Sequence, residues 1–309
     1  MNTINDYLNG LLASQDLAPE EEKLLQNHKK EVTDFLREEF GADPVIKYAG
    51  SHEKGTMIKD NYDLDIVCYF PSSDSRSLKE IRDDVTNHLS KKYTLEHKKS
   101  AERITSLAAN TAPNGYHIDV VPGRFIEQSS DVFIHVAYGD KERMQTNLKT
   151  HIETIANSGC VPIIRLVKIW AHRNNINIKT FVLELFVVET LSGCHTKNDF
   201  KESFLKVIEA IKDKFGSLQL VDPANTNNVV SRVIEPSEKN IIIQSAENTF
   251  NKINGQDNLG NWKGIFCDTS NGALFNLLLK QSSSPLRISN QDSSSKGFSP
   301  QKPWGTDLC

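Results

Sequence analysis

Cysteine is scarce in this chain, and its arrangement argues against two kinds of protein. The five cysteines are an odd number, lie far apart and form no CxxC pair, which disfavours both a disulfide framework and a zinc site. Cys194 and His195 are the only adjacent pair of soft metal ligands. We therefore expect reduced thiols, most of them buried.

Long apolar runs and an excess of charge are also missing. No segment approaches membrane-spanning length, and the N-terminal MNTINDYLNG lacks a basic region followed by an apolar one. The formal net charge is −4, so any surface that binds phosphate must be local. These features predict a cytoplasmic protein with no membrane partner.

What is present is ordinary globular composition, with 309 residues of which 38% are hydrophobic. Residues 1–140 alternate helical and strand patterns and predict a mixed sheet with helices. Residues 141–281, from KERMQTNLKT onward, predict a helical domain packed on the first, which makes the fold class α+β and bilobed. Residues 282–309 are rich in serine and proline and predict a disordered tail.

The first half offers specific elements. We predict a long amphipathic helix that starts near Pro19 and ends at Gly41, strands at about 45–49 and 64–70, and a helical turn near 54–57. The predicted inner face of the long helix consists of Leu24, Leu25, His28, Val32, Phe35, Leu36 and Phe40.

Two acidic residues interrupt the start of an apolar strand. Asp63 and Asp65 are spaced i, i+2, so both side chains project from the same side of the strand. A third acid, Asp119, lies within the apolar segment GYHIDVVPG. Three carboxylates from two strands suit hard divalent ions such as Mg²⁺ or Mn²⁺, and a pair of such ions is a common clamp for phosphoryl chemistry.

Gly50 and Ser51 form a small turn after a strand and upstream of the acids. Free backbone N–H groups and a hydroxyl at such a turn can bind phosphate oxygens. With Lys54, Gly55 and Thr56 between the turn and Asp63, the arrangement predicts a nucleotide phosphate site.

These motifs together resemble a known group. GSHEKGT followed by DLD and HIDVV resembles the signature of polymerase-β-type nucleotidyltransferases. Within them the sequence is most similar to the 2′-5′ oligoadenylate synthetases and the bacterial cGAS/DncV-like nucleotidyltransferases (CD-NTases). The resemblance covers about residues 35–270 and includes IIRLVKIWAHRNN, TFVLELFVVET and the loop-like VDPANTNNVV.

The resemblance implies roles for individual residues. Asp63, Asp65 and Asp119 would be the catalytic ligands of two Mg²⁺ or Mn²⁺ ions, and the nucleotide-binding residues would be Gly50, Ser51, Lys168, Phe181 and Asn228. Lys168 would contact the phosphates, Phe181 would stack on a base, and Asn228 would reach the nucleotide. Helical spacing separates Lys168, Arg165 and His172 from the apolar stripe of their helix.

The function that the resemblance implies is synthesis of a cyclic di- or trinucleotide second messenger. The substrates would be nucleoside triphosphates, ATP among them, with release of pyrophosphate in antiphage (CBASS-type) signalling. The product would activate a downstream effector, and a regulatory or ubiquitin-transfer-like protein would act at the C-terminal tail. Direct activation by long nucleic acid is not expected, because the chain lacks a strongly basic tract.

Two alternatives remain open. The same residues would serve linear chemistry, either 2′-5′ oligoadenylate-like synthesis or transfer to an RNA 3′ end. An inactive nucleotide-binding module is a further alternative, although the presence of all three acids argues against it.

Overall fold

The computed structural model describes residues 3–106, 116–139, 141–193 and 199–267. Its helices are α1 (Ile4–Ala13), α2 (Pro19–Phe40), α3 (Gly50–Glu53), α4 (Leu78–Ser90), α5 (Leu148–Ala156), α6 (Val161–Arg173), α7 (Thr180–Thr190), α8 (Phe200–Lys214), α9 (Pro236–Gly255) and α10 (Leu259–Ile265). Its strands are β1 (Val45–Ala49), β2 (Leu64–Phe70), β3 (Leu95–His97), β4 (Glu102–Ile104), β5 (Ile118–Phe125), β6 (Val132–His135), β7 (Arg143–Thr146), β8 (Val221–Asp222) and β9 (Asn225–Val229). The predicted α+β class is confirmed.

A mixed sheet forms the first part of the fold. The strand order is β1-β2-β5-β4-β3, and β6 pairs with β5 and β7. Strands β2 and β5 are parallel, and the other pairings are antiparallel. All seven residues of β2 are buried, which explains the uninterrupted apolar run that follows Asp65.

Three apolar clusters hold the layers together. Helices α2 and α4 cover one face of the sheet, where Leu36, Ile66 and Val85 are fully buried. On the opposite face Val67, Val121 and neighbouring side chains form a smaller cluster. The third cluster joins α6 to α10 with the leucines of α1, so the first helix packs with the helical part rather than with the sheet.

Helix α2 follows its sequence signals at both ends. Pro19 lies in the first turn, and Gly41 ends the helix with φ +71°. One residue of the predicted inner face is wrong, because Leu24 is 45% exposed. Lys29 is buried instead, and its ammonium lies 4.2 Å from the ring centre of Tyr48.

Two local predictions are wrong. The helical turn expected near residues 54–57 is α3, which ends earlier because Gly55 adopts φ +71°, a conformation typical of helix ends. Residues 143–146, expected to be helical, form β7, in which Met144 pairs with Ile134 of β6. Helix α5 begins only after Asn147, whose side chain accepts a hydrogen bond from the N–H of Thr150 at 3.1 Å.

Further expectations concern membrane spans, the C-terminal tail, the cysteines and the domain limits. Within the described ranges, no helix combines the length and the apolar character needed to span a bilayer. The predicted tail, residues 282–309, and the Cys194–His195 pair lie outside the described residues. The predicted domain limits stay a prediction.

Candidate active site

Strands β2 and β5 bring the predicted acids together. Asp65 of β2 is the register partner of Asp119 of β5, and Asp63 lies just before β2. Because neighbouring strands are about 4.8 Å apart, two carboxylates in register on parallel strands lie side by side. The structure thus assembles the three acids at one end of the central strand pair.

Asp65 and Asp63 are in a setting that opposes their ionisation. Asp65 is 5% exposed, and its Oδ1 atom is buried without a hydrogen-bond partner. Burial, together with the charges of Asp119 and Asp63, raises the pKa of Asp65 to about 8. Burial also raises the pKa of Asp63, and the charge of Arg103 opposes this shift.

Arg103 of β4 is a residue that the sequence motifs do not point to. Its Nε donates to Asp119 Oδ1 at 2.8 Å, and its Nη2 donates to Asp119 Oδ2 and Asp63 Oδ2, both at 2.9 Å. Burial alone would lower the pKa of Arg103, but the hydrogen bond to Asp119 and the two carboxylate charges raise it. The signal in the sequence is a basic residue in a short buried strand.

Gly50 and Ser51 begin α3, directly beside Asp65. Gly50 has φ +72°, and a Cβ atom at this position would lie 1.7 Å from Asp65 Oδ2. Only glycine fits here, because both the backbone conformation and the contact with the carboxylate exclude a side chain. The turn therefore lies in direct contact with one of the three acids.

This contact makes Gly50→Ala a test of the acid geometry. We expect activity to fall about a hundredfold, because the Asp65 carboxylate must move away from the added methyl group. Gly41→Ala is the matched control, since Gly41 also has φ +71° but has open space within 4 Å of the point where a methyl group would stand. The control should lose about 1–3 kcal/mol of stability through its backbone conformation but keep its activity. Equal activities in a pyrophosphate assay would contradict the proposed contact.

A buried ion cluster lies on the other side of α3. Lys54 donates to Glu184 Oε2 at 2.6 Å, and Thr56 Oγ1 donates to Glu184 Oε1 at 2.5 Å. Glu184 is fully buried; its burial favours the neutral acid, but Lys54 and Lys168 lower its pKa. The sequence signal for this cluster is a single acid in the apolar segment TFVLELF of α7.

Lys168 of α6 belongs to the same region. Its Nζ donates to the backbone oxygen of Thr56 at 2.8 Å. Burial, with the nearby charges of Lys54 and Arg165, lowers the pKa of Lys168 to about 8 against the opposing charge of Glu184. Arg165, on the same helix, instead bridges to Asp16 at 2.7 Å and lies outside the site.

Phe181 and Asn228 are linked through the side chains of His151 and Asp222, which lie between them. The Phe181 ring lies 4.6 Å from the ring of His151, centre to centre, and His151 Nε2 is 2.7 Å from Asp222 Oδ1. Asn228 donates to Asp222 Oδ2 at 3.2 Å, so in this structure it supports the β8–β9 hairpin. Within VDPANTNNVV, Asp222 Oδ1 accepts from the N–H of Ala224 at 2.8 Å, and Asn225 Oδ1 accepts from the N–H of Asn227 at 3.2 Å. Nucleotide contacts of Phe181 and Asn228 stay predictions.

The three acids supply oxygen atoms that could bind a divalent ion, but their side chains are not yet arranged as a coordination site. The unpartnered Oδ1 of Asp65 is the atom that an ion would satisfy, and carboxylates are the ligands that Mg²⁺ and Mn²⁺ prefer. Among the described residues, no group of three or more His, Cys, Asp or Glu side chains is already arranged to hold a metal. Arg103, which bridges Asp63 and Asp119, lies among these carboxylates.

Comparison with known families agrees with this geometry. Residues 29–137 match the family model described as nucleotidyltransferase domain. This segment of the chain is similar to nucleotidyltransferase domains. The matched segment includes the turn at Gly50 and all three acids.

Relatives and solved structures extend the likeness beyond this domain. A cyclic AMP-AMP-AMP synthase of Escherichia coli (strain MS 115-1) is 24% identical in an alignment of 231 residues, and the match covers 64% of this chain and 72% of that protein. The E. coli MS115-1 CdnC:HORMA-deltaN complex matches with a TM-score of 0.64 and 18% identity, over 84% of this chain and 96% of that one. The Bradyrhizobium diazoefficiens CD-NTase CdnG in complex with GTP matches with a TM-score of 0.71 and 12% identity, over 86% and 96%. The resemblance to CD-NTases and their fold is confirmed.

Proposed function

We propose that this chain is a metal-dependent cyclic oligonucleotide synthase, which joins nucleoside triphosphates into a cyclic di- or trinucleotide and releases pyrophosphate. The observation that carries this proposal is the packing of Gly50 against Asp65 beside Asp119. It joins a turn suited to phosphate with a carboxylate set suited to divalent ions. The match to the nucleotidyltransferase domain and the relative named a cyclic AMP-AMP-AMP synthase support the reaction class.

Each part of the site has a proposed task. Asp63, Asp65 and Asp119 would hold two Mg²⁺ or Mn²⁺ ions, which lower the pKa of an attacking ribose hydroxyl and neutralise charge on the triphosphate. Gly50 has no side chain and would let the backbone approach the nucleotide phosphates closely. Ser51 lies beside it and would donate its hydroxyl to phosphate oxygens. Burial supports a phosphate role for Lys168, because an ammonium that has lost solvation gains more from a nearby anion.

The wider setting is also a proposal. We place the enzyme in antiphage signalling, with a product that activates an effector and ATP as one substrate. A regulatory protein partner is supported by the similar CdnC, which has been solved in a complex with HORMA-deltaN. Action of a ubiquitin-transfer-like protein on the C-terminal tail is carried by the family resemblance alone.

A product assay tests the reaction. The protein is incubated with the four labelled nucleoside triphosphates and Mg²⁺ or Mn²⁺, treated with phosphatase and examined by mass spectrometry. We expect a phosphatase-resistant product with the mass of two or three linked nucleotides. The Asp63→Asn/Asp65→Asn variant is the control and should form none. A ladder of phosphatase-sensitive products would instead indicate linear synthesis, and nucleotide binding without pyrophosphate release would indicate an inactive module.

A further inference from the structure

Arg103 occupies a position that the proposed reaction leaves unexplained. Its side chain is 4% exposed, and its guanidinium bridges Asp63, just before β2, and Asp119 of β5. Asp119 receives two of its N–H groups, one on each carboxylate oxygen. Such two-point contacts of arginine with carboxylates are strong and directional. The bridge therefore fixes the orientation of Asp119 and ties Asp63 to it.

The three acids are not treated alike. Asp63 and Asp119 are both held by the guanidinium, whereas Asp65 keeps a buried oxygen without a partner. A divalent ion shared by Asp63, Asp65 and Asp119 would need oxygens to which Arg103 now donates. The guanidinium and a divalent ion are both cations that bind the same carboxylates. If both were bound there, they would repel each other.

A second buried arginine shows what a structural contact looks like in this sheet. Arg82 of α4 donates to Glu102 at 2.7 Å and to the backbone oxygens of Lys98, Lys99 and Ala101. It thereby ties the turn between β3 and β4 to α4, and none of these contacts is with the three acids. Arg103, in contrast, donates to two of the proposed metal ligands.

We propose that Arg103 is a positioning residue, which binds the metal-ligand carboxylates until a divalent ion takes its place. It holds Asp63 and Asp119 in place, and its Nη2 leaves Asp63 when the ion binds. Arg103 thus preorganises the carboxylates and at the same time weakens the affinity for metal. This inference rests on the proposed metal site of the synthase.

Metal binding without nucleotide tests this role. Mn²⁺ is titrated into the full-length protein, and free Mn²⁺ is followed by electron paramagnetic resonance. We expect Arg103→Met to bind Mn²⁺ about fivefold more tightly than the wild type, because a competing charge is removed. The control Arg82→Met, which removes an equally buried arginine, should bind within about twofold of the wild type. Unchanged or weaker binding by a folded Arg103→Met variant would overturn the proposal.

A measurement on the wild type decides the matter if Arg103→Met does not fold. The Nε–H signals of arginine are recorded by NMR while Mg²⁺ is added, with Arg103→Lys and Arg82→Lys used to assign the two signals. We expect the Arg103 signal to shift with saturation of the site and the Arg82 signal to stay in place. An Arg103 signal that does not move while Mg²⁺ binds overturns the role of Arg103 alone. A wild type that binds neither ion overturns the metal site itself, and with it this inference.

Discussion

Asp65→Asn should lower the rate of pyrophosphate release from nucleoside triphosphates by about a thousandfold or more. The substitution keeps the size of the side chain but removes the charge at the oxygen that has no protein partner. A loss of several kcal/mol of transition-state stabilisation is typical when metal-assisted charge neutralisation is removed, and each 1.36 kcal/mol is about tenfold in rate. Pyrophosphate release with saturating Mg²⁺ is the measurement.

The same substitution should not harm the metal-free fold. The pKa of Asp65 is raised from 3.8 to about 8 in the folded chain, so the folded state keeps a proton that the unfolded state has lost. The stability that this proton contributes is full below 3.8 and is lost as the pH rises through about 8. With a chelator present, the wild type should therefore lose stability across this range, and Asp65→Asn should lose less.

Asp83→Asn is the control for a general effect of removing an aspartate. Asp83 has a 52% exposed side chain and pairs with Lys79 on the surface of α4. Its substitution should change stability by less than about 1 kcal/mol and leave the rate as it was. An Asp65→Asn enzyme within tenfold of the wild-type rate would show that this carboxylate is not part of the reaction.

Much of the site can be predicted from sequence because its residues are close in the chain or lie in recognisable elements. Strand β2 has the predicted bounds. The i, i+2 spacing of Asp63 and Asp65 places both side chains on the same side of the chain. Asp119 could be assigned because it is an isolated acid among the apolar residues Ile118, Val120 and Val121 of a strand pattern. Its place directly beside Asp65 depends on the parallel pairing of β2 with β5, which the sequence does not specify.

The residues that sequence patterns miss are those whose role depends on a distant partner. Arg103 acts on acids 16 and 40 residues away, and Glu184 contacts Lys54 across 130 residues. A lone charge in an apolar segment signals only that some partner exists. Strand β7 differs from its sequence pattern for a related reason, since its pairing with β6 outweighs the helical pattern of its four residues.

The segment HEKGT, between the phosphate turn and the acids, is explained by contacts on both sides. His52 and Glu53 face α2, where the buried Lys29 lies 3.1 Å from His52 Nδ1 and 3.4 Å from Glu53 Oε1. Lys54 and Thr56 face α7, where both donate to Glu184. Helix α3 and the residues just after it are therefore held between α2 and α7.

Glu184→Gln should be the most destabilising single substitution among these contacts. It removes the negative charge that Lys54 contacts at 2.6 Å in a buried setting, beside the half-buried Lys168. Breaking a buried ion pair by removing one partner typically costs about 3–5 kcal/mol, because the remaining charge is left uncompensated. Urea unfolding followed by the fluorescence of the buried Trp170 and Trp262 measures this loss. We also expect a higher KM for nucleoside triphosphate, since α3 is less firmly held.

Two comparison variants separate the buried charge from other effects. Glu153→Gln removes an acid that is 55% exposed and pairs with Lys149 at 3.8 Å, so it should change stability by less than about 1 kcal/mol. Lys54→Met/Glu184→Leu replaces both partners of the buried pair by apolar groups and should recover about half of the stability lost in Glu184→Gln. If Glu184→Gln were as stable as Glu153→Gln, the cluster could not be what fastens α3 to the helical part. If the double variant were less stable than Glu184→Gln, the loss would come from packing and not from an unpaired lysine.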